Sequence, residues 1–471
     1  MFDDEYFDGE DKLEYLLSEY EKMKADQPHD FIDEDGFELL VDYLVAEGKN
    51  TDAFQACNIG TEQFPFSAGL LLRKGEILAD EKKYGQALKV LDQLFSVDPN
   101  NLEAILLQSD VLLSQQKFEE VILFLENKIP LFEGQEKTEL LLELADVYDE
   151  FEEFDAVFYA LKRILDYDFR NEEALHKICF WAEFTKKHEE SVAIHQRITD
   201  EDPYNAIAWF NLGAAFQGMK LYEKAIDAYE YCVAIDERFE YAYRNMGDAY
   251  IKLRWYEKAI EVLEKHLEIA KPEDVIFEAI GHCWEKQKDF GRARLYYRKA
   301  SQLNPEDDEI YYRIGETYAK EAQWEKAVKS FSVALHLDKD NATYCMALGN
   351  CLMELDVAKE ALVCYLNAVR LKPNVKTTWM ALVRGLYLAS FYDEAMIQLE
   401  IAINNCGQKP EFAYYRAAIL MAQGKSKEAM IHLENAYVEA PKKLNCLLNL
   451  NPEILQHPMV ADVIARNKKR S

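Results

Sequence analysis

The sequence predicts an all-α protein and, within that class, an α-solenoid of stacked helix pairs. Three kinds of residue recur every 34 residues over residues 206–375. The repeated alanines are Ala225, Ala259, Ala293, Ala327 and Ala361. The glycines, each 12 residues before its alanine, are Gly213, Gly247, Gly281, Gly315 and Gly349. An aromatic residue or a leucine follows each glycine by three positions: Phe216, Tyr250, Trp284, Tyr318 and Leu352. A period of about 20 to 50 residues is the sequence signature of stacked-repeat proteins.

The internal spacing of one period indicates two helices joined by a short turn. In residues 206–239 the first apolar run has the i, i+3, i+4, i+7 spacing of a helix, at Trp209, Leu212, Gly213 and Phe216. Residues 218–221 interrupt it, and a second helical run follows at Ala225, Ile226, Tyr229 and Val233. The small glycine and alanine are expected where the two helices cross, because a larger side chain there would separate their axes.

The pattern resembles the tetratricopeptide repeat (TPR) family. The family's consensus places are held by Trp209, Leu212, Gly213, Phe216, Ala225 and Tyr229, with Pro203 in the closing place before this unit. The alanine period continues through Ala395 and Ala429. The resemblance implies helix-turn-helix units stacked into a right-handed superhelix, with ligands usually held on a concave surface lined by the first helices. Such repeats serve many unrelated partners, so the family alone names none.

The 34-residue grid predicts three segments. Residues 1–33 form an acidic segment with one amphipathic helix, residues 34–443 hold twelve TPR units, and residues 444–471 form a capping helix and a basic tail. The third unit has 36 residues, with two extra residues around positions 130–135. The units are expected to begin at Glu34, Ala68, Leu102, Thr138, Glu172, Ala206, Glu240, Asp274, Asp308, Ala342, Lys376 and Pro410. The first five units fit the consensus least well, so we expect local irregularity there, as at His188 and His195.

The two ends of the chain carry patterns of their own. Near the N-terminus a helical stripe is formed by Leu13, Leu16, Leu17, Tyr20 and Met23, and Pro28 is expected to stop that helix. The helix either packs on the first repeat or folds back as a mobile acidic arm. Near the C-terminus, Asn451 and Pro452 form a helix-start signal. Behind them, Val460, Val463 and Ile464 can cover the last repeat, as repeat arrays require. The basic tail is either a solvated end or a contact for an acidic surface.

Composition excludes several classes of partner. The formal net charge is −32 over 471 residues, which disfavours DNA, RNA and anionic membrane surfaces as ligands. No apolar run approaches the about 18 residues of a membrane span, and the acidic N-terminus lacks a signal-peptide pattern. The nine cysteines contain no CxxC pair and are read as small buried thiols in a reducing compartment. These features predict a cytoplasmic protein.

The sequence carries no set of residues that indicates a reaction. Motifs of the HExxH, GxSxG and GxGxxG types are absent, and the histidines are scattered along the chain. The tripeptide Gly424-Lys425-Ser426 looks like the end of a phosphate-binding loop, but Ile419 stands where that motif needs a glycine. The chain is therefore predicted to be neither an enzyme nor a binder of a cofactor or metal.

Acidic residues occupy one predicted groove ladder in the first half of the chain. The resemblance implies that places 2, 5, 9 and 12 of each repeat face the groove. Place 9 is acidic in the first four units, at Asp42, Glu76, Asp110 and Asp146, and aromatic in the fifth, at Phe180. Four carboxylates on one ladder would focus a negative field and favour a basic, extended segment of another protein. The alternative is that an acidic protein places acids on every wetted face.

The second half of the predicted groove is apolar. The candidate contacts are Phe210, Tyr241, Tyr312, Met346, Met380, Tyr387 and Tyr414. Methionine and aromatic side chains suit adaptable peptide contacts. The same residues would equally serve ordinary packing between repeats.

Together these patterns predict a non-catalytic scaffold or adaptor that holds a segment of a partner protein in the TPR groove. Electrostatic capture would come first and apolar anchoring second. The alternative is a structural or assembly protein that self-associates through repeat faces or ends. Salt separates the two, because groove capture should weaken as ionic strength rises whereas apolar self-association should not.

Overall fold

The computed structural model describes residues 9–450 together with 454, 457, 458, 460 and 461. All regular elements in these residues are helices, beginning with α1 (Gly9–Lys24). The chain divides into an N-terminal block, Met1–Glu237, and a C-terminal block, Arg238–Ser471.

Helices after α1 alternate between the first and the second member of a pair. The first helices are α2 (Glu34–Ala46), α4 (Ala68–Asp80), α6 (Leu102–Ser114), α8 (Gly134–Glu150), α10 (Glu172–Phe184), α12 (Ala206–Gly218), α14 (Glu240–Lys252), α16 (Asp274–Lys286), α18 (Asp308–Lys320), α20 (Ala342–Glu354), α22 (Lys376–Leu388) and α24 (Pro410–Ala422). The second helices are α3 (Asn50–Gln63), α5 (Tyr84–Val97), α7 (Phe118–Lys128), α9 (Phe154–Tyr167), α11 (His188–Glu201), α13 (Tyr222–Ile235), α15 (Tyr256–Ile269), α17 (Phe290–Leu303), α19 (Trp324–Leu337), α21 (Ala358–Leu371), α23 (Tyr392–Cys406) and α25 (Ser426–Glu439). Helix α26 (Asn445–Leu450) follows. Within each block the paired and neighbouring helices pack on one another, so the all-α solenoid class is confirmed.

Eleven of the twelve predicted unit starts coincide with the first residue of a helix, and the fourth does not. Helix α8 begins at Gly134, four residues before Thr138. A 3-10 turn at Ile129–Leu131 precedes it, and Ile129 and Phe132 are buried. The extra residues are therefore tied to the core by two apolar side chains, and the following helix gains a turn at its start.

The turn inside each pair places one residue in the left-handed region. Its φ lies between 55° and 66° at Lys82, Gln116, Glu152, Lys186, Lys220, Arg254, Lys288, Ala322, Asp356 and Ser390. Glycine holds the corresponding position in the outermost pairs, at Gly48 and Gly424. The backbone N–H groups after each first helix fold back on its last carbonyls, as when Lys220 N–H donates to Gln217 and Leu221 N–H to Phe216. These bonds stop the helix and reverse the chain.

The repeated glycines lie against the second helix of their own pair. A Cβ on Gly213 would lie 2.5 Å from the Tyr229 ring, and one on Gly315 would lie 2.5 Å from the Phe331 ring. The residue that requires the glycine is thus the large side chain four positions after the alanine, rather than the alanine itself. The close helix crossing expected from the sequence is present, and the glycine contacts the large side chain of the second helix.

Helix α1 packs onto the N-terminal block. Its Leu16 and Tyr20 are buried in one cluster with Phe37 and other side chains of the first pair. The Tyr20 hydroxyl also donates to the Asp52 carbonyl at 2.9 Å. The described part of this helix is therefore docked and is not a mobile arm. Helix α1 ends at Lys24, four residues before Pro28. Asp26, which follows the helix, has a left-handed φ of 54°.

The irregularity expected in the first five units does not occur at His195. This side chain is fully buried in the uninterrupted helix α11, where its Nδ1 donates to the Ser191 carbonyl at 2.8 Å. The Asn211 amide donates to the Leu175 carbonyl at 2.7 Å and lies 3.2 Å from His195 Nε2. Burial lowers the pKa of His195 to about 4, so the ring is neutral at pH 7. A satisfied polar network replaces the aromatic contact found in later pairs.

The C-terminal block ends in a buried closure. Leu447, Leu450, Ile454 and Val460 join the apolar cluster that fills the last pairs. Glu411 is also buried, and its carboxylate accepts from Lys376 at 2.9 Å and from Lys443 at 3.0 Å. Its desolvation is outweighed by these two ammonium groups, and the pKa of Glu411 falls to about 2. The expected cap residues Val463 and Ile464, and the basic tail, lie outside the described residues.

Candidate functional site

The candidate binding surface is the row of first helices, taken separately in each block. In the N-terminal block, Asp42 is exposed but already paired. Arg73 on α4 donates to both carboxylate oxygens of Asp42, at 2.6 and 2.8 Å, and also contacts Glu38 at 3.1 Å. This two-pronged ion pair engages the first rung of the predicted acidic ladder, and Arg73 carries one positive charge between two carboxylates.

Asp146, the fourth rung, is also paired. Lys177 on α10 contacts Asp146 at 3.2 Å and Glu173 at 3.0 Å. All three side chains reach solvent, so the pair is weak and screened. Lys177 carries one positive charge between two carboxylates, and the local charge stays negative.

The middle two rungs, Glu76 and Asp110, have no ion-pair partner within the described chain. Both residues are exposed. Neighbouring protein atoms nevertheless partly desolvate their carboxyl groups. Desolvation raises the pKa of Glu76 and, together with the charge of Glu150, that of Asp110. The charge of Arg73 opposes the rise at Glu76, whereas no cation acts in this way on Asp110. Uncompensated negative charge therefore lies at Asp110.

Helix α8 extends this charge through Glu143, which the sequence reading did not single out. Its carboxylate accepts from the Ser109 hydroxyl on α6 at 2.6 Å. Desolvation raises the pKa of Glu143, and the nearby charges of Asp110, Asp146 and Glu150 act in the same direction. The acidic surface thus centres on α6 and α8. The number of acids on α8, rather than the place-9 ladder alone, was the signal for it.

An aromatic patch lies on the next first helix, α10. Phe180, the predicted contact, is 60% exposed, and Phe184 one turn later is 54% exposed. Trp181 and Phe154 pack beside them. We call these four residues the α10 patch.

In the C-terminal block a cleft of about 1060 Å³ runs along α18, α20 and α22. It brings together two predicted contacts, Tyr312 and Met346. The Tyr312 ring stacks on Tyr344 with centroids 4.9 Å apart, and its hydroxyl donates to Glu316 at 3.2 Å. Burial first, and then the charge of Glu316, raises the pKa of Tyr312 to about 12, so the hydroxyl stays protonated.

Polar residues of the cleft differ in how far they are already engaged. Asn350 Oδ1 accepts from the Tyr365 hydroxyl at 2.8 Å, and Lys320 donates to the buried Glu285 at 2.6 Å. Arg384 also lines the cleft, is exposed and has no ion-pair partner among the described residues. The sequence reading did not select these polar residues, because their availability depends on partners in neighbouring helices.

Two predicted contacts are not available to a partner. Tyr414 is fully buried, and its hydroxyl donates to the Ala440 carbonyl at 3.0 Å. Tyr387 is also buried, with its ring 5.5 Å from that of Tyr392. Both belong to packing between helices, which was the alternative reading for this set, and they are withdrawn as binding residues.

The remaining predicted contacts lie outside the cleft lining. Phe210 is half-buried, with its ring 5.8 Å from the Tyr229 ring. Tyr241 is exposed on α14, and Met380 is half-buried in the apolar cluster of the C-terminal block. The predicted residues thus do not form one continuous apolar row.

The second helices carry an apolar row that was missed. Val363, Ile397 and Ile431 stand 34 residues apart on α21, α23 and α25, and each is more than half exposed. The signal in the sequence was a β-branched residue at one fixed place in three successive units. We call this the outer apolar row.

The described residues show neither a membrane-spanning helix nor a metal-binding group. None of their helices is both long and apolar enough to cross a membrane. Within the same part of the chain, His, Cys, Asp and Glu side chains form no group of three placed to hold a metal ion.

Comparison with sequence families gives one family. Models described as tetratricopeptide repeat match residues 68–101, 206–239, 241–272 and 286–351. The predicted total of twelve units is not tested by these matches and stays a prediction. No curated protein sequence matches the chain.

Several solved structures are similar at low identity. YrrB, described as a TPR protein with an unusual peptide-binding site, is 21% identical, with 40% of this chain and 96% of that chain covered and a TM-score of 0.36. The C-terminal part of a TPR repeat-containing protein from Cytophaga hutchinsonii is 17% identical, with 54% and 98% covered and a TM-score of 0.42. The APC/C hetero-tetramer Cut9-Hcn1 is 12% identical, with 88% and 98% covered and a TM-score of 0.32. At these values the similarities assign no ligand or partner to this chain.

Proposed function

Because this chain is a tetratricopeptide repeat protein, we propose that it is a non-catalytic scaffold that holds a segment of a partner protein on its first-helix faces. The observation that carries the proposal is the cleft along α18, α20 and α22, where Tyr312, Met346 and Arg384 share one opening. Aromatic, methionine and arginine side chains are the types enriched in protein interfaces. A cleft that runs along the first helices of three successive pairs suits an extended segment better than a compact ligand.

The acidic surface of α6 and α8 supports a separate contact within the N-terminal block, made with basic residues of a partner segment. Asp110 and Glu143 supply charge that is not compensated by ion pairs among the described residues, whereas Asp42 is already satisfied by Arg73. The electrostatic part of the mechanism therefore rests on Asp110 and Glu143 instead of on all four predicted rungs. Burying one ammonium or guanidinium group beside these carboxylates would relieve their mutual repulsion.

The test blocks the cleft without removing any interior contact. Thr377 lines the cleft and is exposed, so Thr377→Trp fills the opening from the rim. Proteins retained from native cell extract are compared with those retained by Ser332→Trp, which adds the same ring to an exposed site on α19. We expect the partner to be lost with Thr377→Trp and kept with Ser332→Trp. Equal retention by both variants would refute the cleft as the binding surface.

The outer apolar row favours a second candidate function, self-association. Val363, Ile397 and Ile431 expose apolar side chains on successive second helices, and a second copy would cover them. Light scattering across a concentration series tests this candidate. A salt-resistant oligomer that Ile397→Glu converts to monomer would support it. A monomer at every concentration would remove it.

A further inference from the structure

The α10 patch is a cluster of rings that the fold leaves open. Phe154 stacks on Trp181 at 5.6 Å between centroids and meets Phe184 edge-on at 5.0 Å. Phe180 meets Trp181 edge-on at 5.1 Å and lies nearly parallel to Phe184 at 6.0 Å. The rings hold one another in place, yet Phe180 and Phe184 remain more than half exposed. A pre-ordered aromatic surface binds at little entropic cost, since its side chains are already fixed.

The charges around the patch are strongly uneven. Helices α6, α8 and α10 together carry eleven acidic side chains against two lysines. Lys177 is held by Asp146 and Glu173, and Lys137 lies over the Tyr167 ring at 4.9 Å. The next first helix, α12, carries no charged residue. The patch therefore lies at the boundary between a negative face and an uncharged one.

We propose that the α10 patch is an anchor site for an extended partner segment in which bulky apolar side chains adjoin a run of lysine and arginine residues. The apolar side chains cover Phe180 and Phe184, and the basic run extends over α8 towards α6. This assignment rests on the proposed scaffold function and defines the chemistry of the segment that the N-terminal block takes.

Charge complementarity and the exposed rings together select this occupant over three simpler ones. A purely apolar segment would leave Asp110 and Glu143 unmatched, and an acidic one would be repelled by them. A purely basic segment would satisfy the carboxylates but leave the rings in water. Burying a phenylalanine or leucine side chain against the rings should strengthen binding about tenfold or more.

Three labelled synthetic peptides of equal length test the assignment with the full chain. The first joins a lysine-arginine run to Phe-Leu, the second joins the same run to Gly-Ser, and the third joins Phe-Leu to a glutamate run. Fluorescence anisotropy should show the first binding most tightly, the second about tenfold more weakly and the third not at all.

Variants locate the apolar contact. Phe180→Ala with Phe184→Ala should lower affinity for the first peptide about tenfold, to the level of the second peptide. Phe180→Gln alone changes only the more exposed ring and should give part of that loss, which guards against misfolding of the double variant. Phe66→Ala removes an exposed ring from the same block, between α3 and α4, and should leave the affinity unchanged.

Three results would overturn the assignment. If the Phe180 and Phe184 variants bind the first peptide as well as the wild type, while Asp110→Asn with Glu143→Gln loses it, the anchor is wrong and acidic capture stands. If no peptide binds, the N-terminal block captures no basic segment.

The chain's own sequence also places Val463 and Ile464 before a basic run. If a variant ending at Ala465 binds the first peptide more tightly, the occupant is this chain's own C-terminal segment.

Discussion

At the scale of single residues, the fold depends on side chains whose required size is set by one neighbour. Gly213→Ala would place a Cβ 2.5 Å from the Tyr229 ring. Overpacking of this kind costs about 1 to 3 kcal/mol, which exceeds the gain of about 1 kcal/mol in helix propensity. We therefore expect a lower melting temperature by circular dichroism. Gly85→Ala is the control, because its added Cβ would have no atom within 4 Å beyond its chain neighbours and the backbone of its own helix. If Gly213→Ala and Gly85→Ala changed the melting temperature equally, helix propensity and not contact with the Tyr229 ring would determine the effect.

Burial of His195 predicts a pH-dependent loss of stability. Its folded pKa is about 4, below the ordinary value of 6.5, so the unfolded chain binds the proton first. Its contribution is complete above about pH 6.5 and is lost as the pH falls towards 4, by about 2 kcal/mol at pH 5. Urea unfolding of the wild type and His195→Gln at pH 7 and pH 5 measures the difference. A wild type that loses no more stability than the variant would contradict this account.

The sequence could predict which positions recur but not what each one contacts. The 34-residue period identified Gly213 as a small-residue place, yet the ring that requires it became clear only from the structure. His195 interrupts the aromatic pattern, and its network with Ser191 and Asn211 draws on two helix pairs. The partners of a polar side chain depend on distant residues that no local pattern contains.

At the scale of elements, the turn between paired helices stores backbone strain. Ala322 has a φ of 55°, a conformation that costs a residue with a Cβ about 1 to 2 kcal/mol. Ala322→Gly should raise the free energy of unfolding by up to about 1 kcal/mol, after the larger entropy of the unfolded glycine is subtracted. Ala319→Gly, inside α18, should lower it by about 1 kcal/mol. A decrease in both variants would show that the turn is not strained.

Helix starts were predictable because the apolar spacing of about 3.6 residues begins at each of them. Helix α8 is the exception, since inserted residues precede it. There, the burial of Ile129 and Phe132 ties down the inserted residues, and α8 starts before Thr138. Exposure was harder to predict than position. Tyr414 and Phe180 both stood at predicted groove places, but Tyr414 is fully buried and bonded to the Ala440 carbonyl, while Phe180 is 60% exposed.

At the scale of the whole molecule, the charge of −32 was readable from the sequence, but its distribution was not. Arg73 pairs with Asp42 and Glu38, whereas Asp110 and Glu143 have no ion-pair partner among the described residues. Asp110→Asn with Glu143→Gln should weaken binding of a lysine-arginine peptide and flatten its dependence on salt, since fewer charges take part. Asp200→Asn with Glu201→Gln removes the same charge from α11 and should change neither quantity. Equal losses from the two pairs would mean that net charge alone attracts the peptide.

The central claim is that first-helix faces hold a partner segment, and site-specific photo-crosslinking in native cell extract tests it most directly. A photoreactive residue is placed at Thr377 in the cleft and, in a separate variant, at Ser332 on α19. We expect one partner protein to be linked at Thr377 and none at Ser332. Links formed only at Ser332, or only to a second copy of this chain, would contradict the claim and make self-association the function of the repeats.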